Sequence, residues 1–425
     1  MSGLARPPEL EYRPRLADGE LERLIAASGA VVIEGARASG KTQTALRAAR
    51  SAVRLDVEDD ARTAALVAPE LLLDGERPRL IDEWQLVPAV WNHVRREVDA
   101  ARGAPGQFIL TGSAVPPDDP VRHSGAGRFT RLRMRPMSLL EAGYSTGLIS
   151  LSSLFDGAEP RAPEPPLAIA DLAERICVGG WPGLQRSVAS AQVVLRGYLA
   201  DTTELDLVRL DGVRRDPEKL RRVIRSLARN TATQVSARAI AADVGGSEGS
   251  MDPHTVRDYL TALARVFVTE DLPAWSPAIR SRSILREAPT RHFVDPSLAV
   301  AALDTGPDRL LRDVATLGLL FESLVVRDLR IYGQVMDASV FHFRDNTGLE
   351  ADAVLERRDG RWAAFEVKLG SAAIDDAARS LLRVAAKVDP ERHGEPAFLA
   401  VVTGWGYGYR RPDGVFVIPI GALGP

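Results

Sequence analysis

Hydrophobic and polar positions divide the chain into three stretches of different rhythm. In the first, apolar runs of strand length recur: Ala30-Val-Val-Ile33, Arg79-Leu-Ile81 and Gln107-Phe-Ile-Leu110. Short unbroken apolar runs bounded by turn signals read as buried strands. The first run leads into helix-prone Thr42–Arg50. In the second stretch Leu220, Val223, Ile224 and Leu227 fall at i, i+3, i+4, i+7, so a helix starts at Asp216-Pro217, with aspartate as cap and proline at the first helical position. A short helix from Ser236 to Val244 stops at Gly245. A third opens on Asp252-Pro253, with Val256, Leu260, Leu263, Val266 and Phe267 on one side. Val268–Pro273 then reads as a strand. In the third stretch Gly318–Leu329 is an amphipathic helix with one acid, Glu322, inside its apolar pattern. Two strand-like runs flank Arg358-Asp359-Gly360, and 397–403 and 415–420 read as closing strands.

The fold class expected is α/β, with an N-terminal domain over 1–146, a linker over 147–166 rich in Ser, Pro and acids, a helical region over 167–290, and a C-terminal α/β domain over 291–425. A tight turn, Gly179-Gly-Trp-Pro-Gly183, follows the linker. Three helices and a hairpin over about 216–275 suggest a winged helix. Such a module often lays its last helix in the DNA major groove, which makes His254, Thr255, Arg257 and Asp258 the candidate readers. It also serves elsewhere as a packing or protein-interaction module.

The 425 residues allow two or three domains, and a net charge of −3 leaves any nucleic-acid contact to a local patch. The single cysteine, Cys177, excludes a disulfide framework and a cysteine metal site, which fits a reducing compartment. The N-terminus lacks the apolar run of a signal peptide, and nothing approaches a membrane span, so the cytoplasm is the expected location. Of 54 basic residues only Lys41, Lys219, Lys368 and Lys387 are lysine. In a chain that uses arginine almost everywhere, a retained lysine marks a place where a compact ammonium is needed rather than a planar fork.

Lys41 lies in Gly35-Ala36-Arg37-Ala38-Ser39-Gly40-Lys41-Thr42, which matches G-x-x-x-x-G-K-[ST] between a strand and a helix. Backbone N–H groups of such a loop curl round the phosphates of ATP, Lys41 reaches the β- and γ-phosphates, and the Thr42 hydroxyl ligates Mg2+. A second set of groups is expected on a neighbouring strand: Asp82 for the magnesium shell and Glu83 to polarise the attacking water. The run into Thr111-Gly-Ser113 ends in small hydroxyl residues, and Ser113 is the candidate sensor between the acids and the γ-phosphate.

Over 12–145 the sequence resembles the ATPase domain of a bacterial and archaeal AAA-type family, in EGARASGKTQT, LIDEWQLVP, GQFILTGSA and GAGRFTRLRMRPMSLLEAG, in that order and spacing. Ala36 stands where that family usually has proline. The resemblance implies that Arg128, in the GAGR stretch, faces the γ-phosphate of a neighbouring subunit in a homo-oligomer. A solvated turn arginine is the competing reading.

Around the second retained lysine, a three-residue loop 358–360 with left-handed Gly360 pairs Arg357 with Arg361. That register sets Asp352 opposite Glu366 and Glu350 opposite Lys368, all on one face. The spacing D-(x13)-E-x-K resembles the core of the PD-(D/E)xK nuclease superfamily, and the C-terminal domain of the same ATPase family looks like that restriction-endonuclease-like fold. The resemblance implies a magnesium-dependent phosphodiesterase site of Asp352, Glu366 and Lys368, joined by Glu322 from the preceding helix. His342 and Arg344 are expected to meet a backbone phosphate. Cleavage, nucleic-acid binding without cleavage, and a structural role all remain open. The expected function is an ATPase acting on DNA, and the alternative is a switch-like ATPase that binds a protein partner, with the C-terminal modules as scaffold.

Overall fold

The computed structural model describes residues 12–114, 125–208, 212–245, 251–276 and 288–425. They fall into two compact units, one formed by residues up to 33 with 40–111 and 125–132, the other mainly by 133–425 with 34–39.

The first unit is a sheet of five strands, β1 (Ala30–Glu34), β2 (Ser51–Arg54), β3 (Arg79–Asp82), β4 (Phe108–Gly112) and β5 (Phe129–Arg133), in the order β2-β3-β4-β1-β5. β2–β3 and β3–β4 pair in parallel. The helix α1 (Leu16–Ala27) precedes β1, and α2 (Lys41–Ala48), α3 (Asp59–Val67) and α4 (Val90–Ala100) supply the crossovers that parallel pairing demands. Val32, Val53, Ile81 and Leu110 form a core with Trp84, Trp91 and Val94, and the Trp91 ring stacks on Phe129 at 4.0 Å. The acid strand β3 is not the neighbour of the loop strand β1: β4 lies between them.

In the second unit, residues 147–166 are more than a linker. They carry β6 (Ile149–Ser150) and α5 (Leu151–Phe155). β6 pairs in parallel with the chain end, Ile149 beside Leu423, and Ala162 bridges to Gly408. The helices α6 (Ile169–Val178) and α7 (Val188–Asp201) follow.

Next come α8 (Pro217–Arg229), α9 (Ala237–Val244) and α10 (Pro253–Arg265), capped where the sequence places them by Asp216, Ser236 and Asp252. Leu272 and Thr290 exchange both backbone hydrogen bonds, and Arg291 N–H donates to Thr233 O at 2.9 Å. The strand expected from Val268 pairs with 290–294, and that segment has a second partner in 232–233. Residues 277–287 lie outside the described residues.

After α11 (Pro296–Leu303), α12 (Pro307–Arg312) and the long α13 (Val314–Val335) comes a six-stranded mixed sheet. It contains β7 (Ala338–Arg344), β8 (Glu350–Arg357), β9 (Trp362–Lys368), β10 (Phe398–Thr403), β11 (Tyr409–Arg410) and β12 (Phe416–Pro419), in the order β11-β12-β10-β9-β8-β7, with α14 (Ile374–Lys387) between β9 and β10. Gly360, at φ +86°, closes the β8–β9 turn as the sequence predicts, and Ala353↔Phe365 through Glu356↔Trp362 lie in the predicted register.

Two buried ion clusters knit this unit. The Arg327 guanidinium bonds Asp295 at 2.8 Å and Asp328 at 2.7 Å, and all three are almost solvent-free. Asp328 accepts the Leu139 N–H and Asp295 the Gly180 N–H. In the second cluster Arg135 makes a two-pronged bond to Glu270. Burial alone pushes the Glu270 carboxyl up, but Arg135, Arg330 and Arg133 outweigh it and hold it far below the usual range. No helix among the described residues is long and apolar enough to cross a membrane.

Candidate functional site

The glycine-rich loop leaves β1 and turns into α2 at Gly40, whose φ of +101° suits glycine in a left-handed cap. Ser39 and Lys41 are buried, and Arg37 forms an ion pair with Asp206 at 2.7 Å. One residue into the helix, Thr42 Oγ1 donates to Asp82 Oδ1 at 2.9 Å. Hydroxyl and carboxylate, 40 residues apart in sequence, thus form the pair of hard oxygen donors that fits Mg2+. Burial raises the Asp82 carboxyl above its usual range, while the hydrogen bonds from Thr111 and Thr42 oppose that rise.

Thr111 was missed as a site residue by sequence reasoning. Its hydroxyl donates to Asp82 and accepts the Glu83 N–H at 3.1 Å. The stretch that ends β4 signalled a polar sensor, and β4 lies between β1 and β3, so the strand's own threonine reaches the acids. Ser113, the expected sensor, is buried two residues further on. Glu83 takes a left-handed backbone (φ +54°), uncommon for a residue with a side chain. The Thr111 bond and the burial of Trp84 in the core hold it there. The Gln85 amide donates to the Glu83 carboxylate, a second contact not foreseen.

Arg128 begins β5. Its carbonyl accepts the Ala30 N–H at the start of β1, whereas the glycine-rich loop follows the end of that strand. Four residues of strand, about 13 Å, separate the two ends. The guanidinium is 43% exposed and bonds Asp99 at 2.8 Å. It stands at the opposite end of its own sheet from the loop.

In the second unit, Lys368 Nζ lies 2.6 Å from Glu366 Oε2 and 3.5 Å from Asp352 Oδ2. Asp352 also accepts the Val367 N–H at 2.7 Å. The ladder of β8 breaks here. Phe341 faces Val354 but Phe343 faces Ala351, so β8 has one extra residue at 352–353. Bulges of this kind re-aim side chains and are over-represented beside active sites. The β8–β9 pairs stop at Ala353↔Phe365, short of the expected Glu350–Lys368 pair; Glu350 lies 3.8 Å from Arg344 on β7, and after burial and Asp352 its charge also helps to raise the Glu366 carboxyl. His342 is buried rather than facing a phosphate, with Nδ1 3.2 Å from the Gln234 amide. Half-buried Glu322, on α13, feels the same charges: burial, then Asp352, raises its carboxyl well above the usual range. His254, Arg257 and Asp258 are exposed on α10, with Thr255 partly so.

The charge balance of this cluster is unusual. Despite burial, Asp352 and Glu366 hold the Lys368 ammonium above its ordinary value. Burial, with Asp352 beside it, pushes the Glu366 carboxyl from 4.5 to about 7. Three carboxyls share one ammonium. Among the described residues no group of three or more His, Cys, Asp or Glu side chains is placed to hold a metal ion. Two carboxylates face the ammonium, which is the number Mg2+ takes when water and a substrate phosphate complete its shell. The raised Glu366 means that the folded state holds this proton more tightly than the unfolded chain. Stability therefore falls as pH rises from about 4.5 to 7, and levels off above. A Glu366→Gln protein is expected to show a shallower loss of melting temperature across that window. Identical slopes in the two proteins would contradict the protonated carboxyl.

Residues 27–143 match the AAA domain family, residues 169–309 a domain of unknown function (DUF8612) and residues 317–423 another (DUF4143). No curated protein matches the chain. Among solved structures it is similar to the Walker-type ATPase PABY2304 of Pyrococcus abyssi, with 13% identity, a TM-score of 0.44, and coverage of 70% of this chain and 98% of that one. The loop, the acid pair and the AAA match fall on one segment, and residues 27–143 are similar to P-loop domains of the AAA type.

Proposed function

We propose that the chain is a magnesium-dependent ATPase. The observation that carries this reading is the bond from Thr42 to Asp82, which puts the loop hydroxyl and the strand-end acid where one Mg2+ would be shared. Lys41 would neutralise the β- and γ-phosphates, and Glu83 would take the proton of the attacking water. The bound metal would draw charge from the phosphates. Turnover of ATP in Mg2+ by wild type and Lys41→Ala tests this. A loss of about 10²–10³-fold is expected, on the scale of removing one charge-stabilising donor. Equal turnover by both would overturn the assignment.

A second reading concerns what hydrolysis drives. The face of Asp352, Glu366 and Lys368 supports action on nucleic acid, because surplus carboxylate charge round a retained lysine suits a cation arriving with a phosphodiester. The three capped helices with their paired strand segments are consistent with a winged helix that binds the same substrate. Linear, branched and single-stranded DNA added to the turnover assay tests this. Stimulation supports the nucleic-acid reading, and indifference to all three favours a protein partner.

A further inference from the structure

The strand beside Lys368 carries a polar group that no contact uses. β10 runs parallel to β9 with Thr403 as the Cα partner of Lys368 and Val401 as that of Glu366. Partners in a ladder project from the same face, so the Thr403 side chain emerges beside the lysine. Thr403 is only 2% exposed, and its hydroxyl has no hydrogen-bond partner. Buried hydroxyls are ordinarily satisfied, and an orphan calls for an explanation. Thr111 bonds Asp82 and Thr231 bonds Leu227 O, whereas the Thr130 hydroxyl also lacks a partner. What distinguishes the Thr403 hydroxyl is its place beside the carboxylate–lysine cluster.

The segment that follows suggests what completes it. Trp405 is half-buried, with its ring against Gly370 just beyond β9, while Tyr407 and Tyr409 are 63% and 42% exposed. Tyr409 lies on β11, at the edge of the same sheet and two strands from β10. Exposed rings on the segment that leaves β10 are of the kind an unpaired nucleic-acid strand uses, since every base has a face to stack.

We propose that Thr403 is a phosphate-binding residue of this site, its hydroxyl donating to an oxygen of a nucleic-acid phosphodiester held beside Lys368. The proposal rests on the nucleic-acid reading above. The hydroxyl supplies position and no bond is made or broken at it.

Thymidylyl-thymidine, which has one phosphodiester and two bases, is the probe. Its phosphorus signal is titrated in Mg2+ without ATP, against wild type, Thr403→Val, Thr403→Ser and Lys368→Gln, with inorganic phosphate in parallel. Melting temperatures are recorded without ligand. Valine keeps the shape of threonine and removes only the orphan hydroxyl, so Thr403→Val is expected to melt no lower than wild type. It is expected to bind the dinucleotide about tenfold more weakly, the scale of one hydrogen bond to a charged group. Thr403→Ser should restore binding. If Lys368→Gln loses binding while Thr403→Val keeps it, or if Thr403→Val melts markedly lower, the Thr403 assignment falls and the site reading stands. If wild type does not bind, or Lys368→Gln binds equally well, the site reading falls and Thr403 with it. Inorganic phosphate bound as tightly as the dinucleotide would overturn the choice of nucleic acid.

Discussion

A Glu83→Gln protein is expected to bind ATP as wild type does and to turn it over about 10²–10⁴-fold more slowly, the usual contribution of a positioned general base. The structure gives reasons for separating binding from turnover. Glu83 is not in the glycine-rich loop, and its left-handed backbone aims it from the end of β3. That conformation is held by the Thr111 hydroxyl on its N–H and by Trp84 packed beneath it. Glutamine preserves both supports and removes only the basicity. Nucleotide affinity and single-turnover hydrolysis, measured on the same preparation, decide the matter. Loss of binding in step with turnover would mean that Glu83 acts through the loop. Unchanged turnover would mean that another group takes the proton. The Gln85 amide on the Glu83 carboxylate implies that this contact loosens when the base works.

The second large effect belongs to stability. Replacing Arg327 with Met is expected to cost the second unit about 3–5 kcal/mol, the price of breaking a buried ion pair from one side. Arg327 is 3% exposed, and Asp295 and Asp328 are fully buried. Burial lowers the affinity of the guanidinium for its proton, but Asp328 and Asp295 more than restore it. Without the guanidinium, two carboxylates are left facing each other in an apolar interior. The same carboxylates hold the Leu139 and Gly180 N–H groups and, through Ser297, the Trp181 ring nitrogen. Denaturant unfolding of Arg327→Met against Arg327→Met with Asp295→Asn and Asp328→Asn reads the effect. The triple variant should recover part of the loss, because neutral amides need no cation. An Arg327→Met midpoint unchanged from wild type would refute the account.

The sequence by itself determined what local chemistry determines. The glycine-rich loop between a strand and a helix, the acid pair at the end of β3, the caps Asp216, Ser236 and Asp252, and the β8–β9 register set by Gly360 were all legible. Each depends on residues within a turn or two of one another, where φ/ψ preference, capping and side-chain period act directly. Tertiary structure decided which elements became neighbours. β4 lies between β1 and β3, so Thr111 reaches Asp82. A bulge whose extra residue shows only against β7 sets the β8 end carrying Glu350 beside Arg344. β10, reached through α14, sets Thr403 beside Lys368. Asp295, the cap of α11, joins adjacent Arg327 and Asp328 of α13 in one buried cluster. Strand order and cross-element pairing follow from how crossovers bury apolar faces against one another, a property of the whole packed chain that no window of sequence carries.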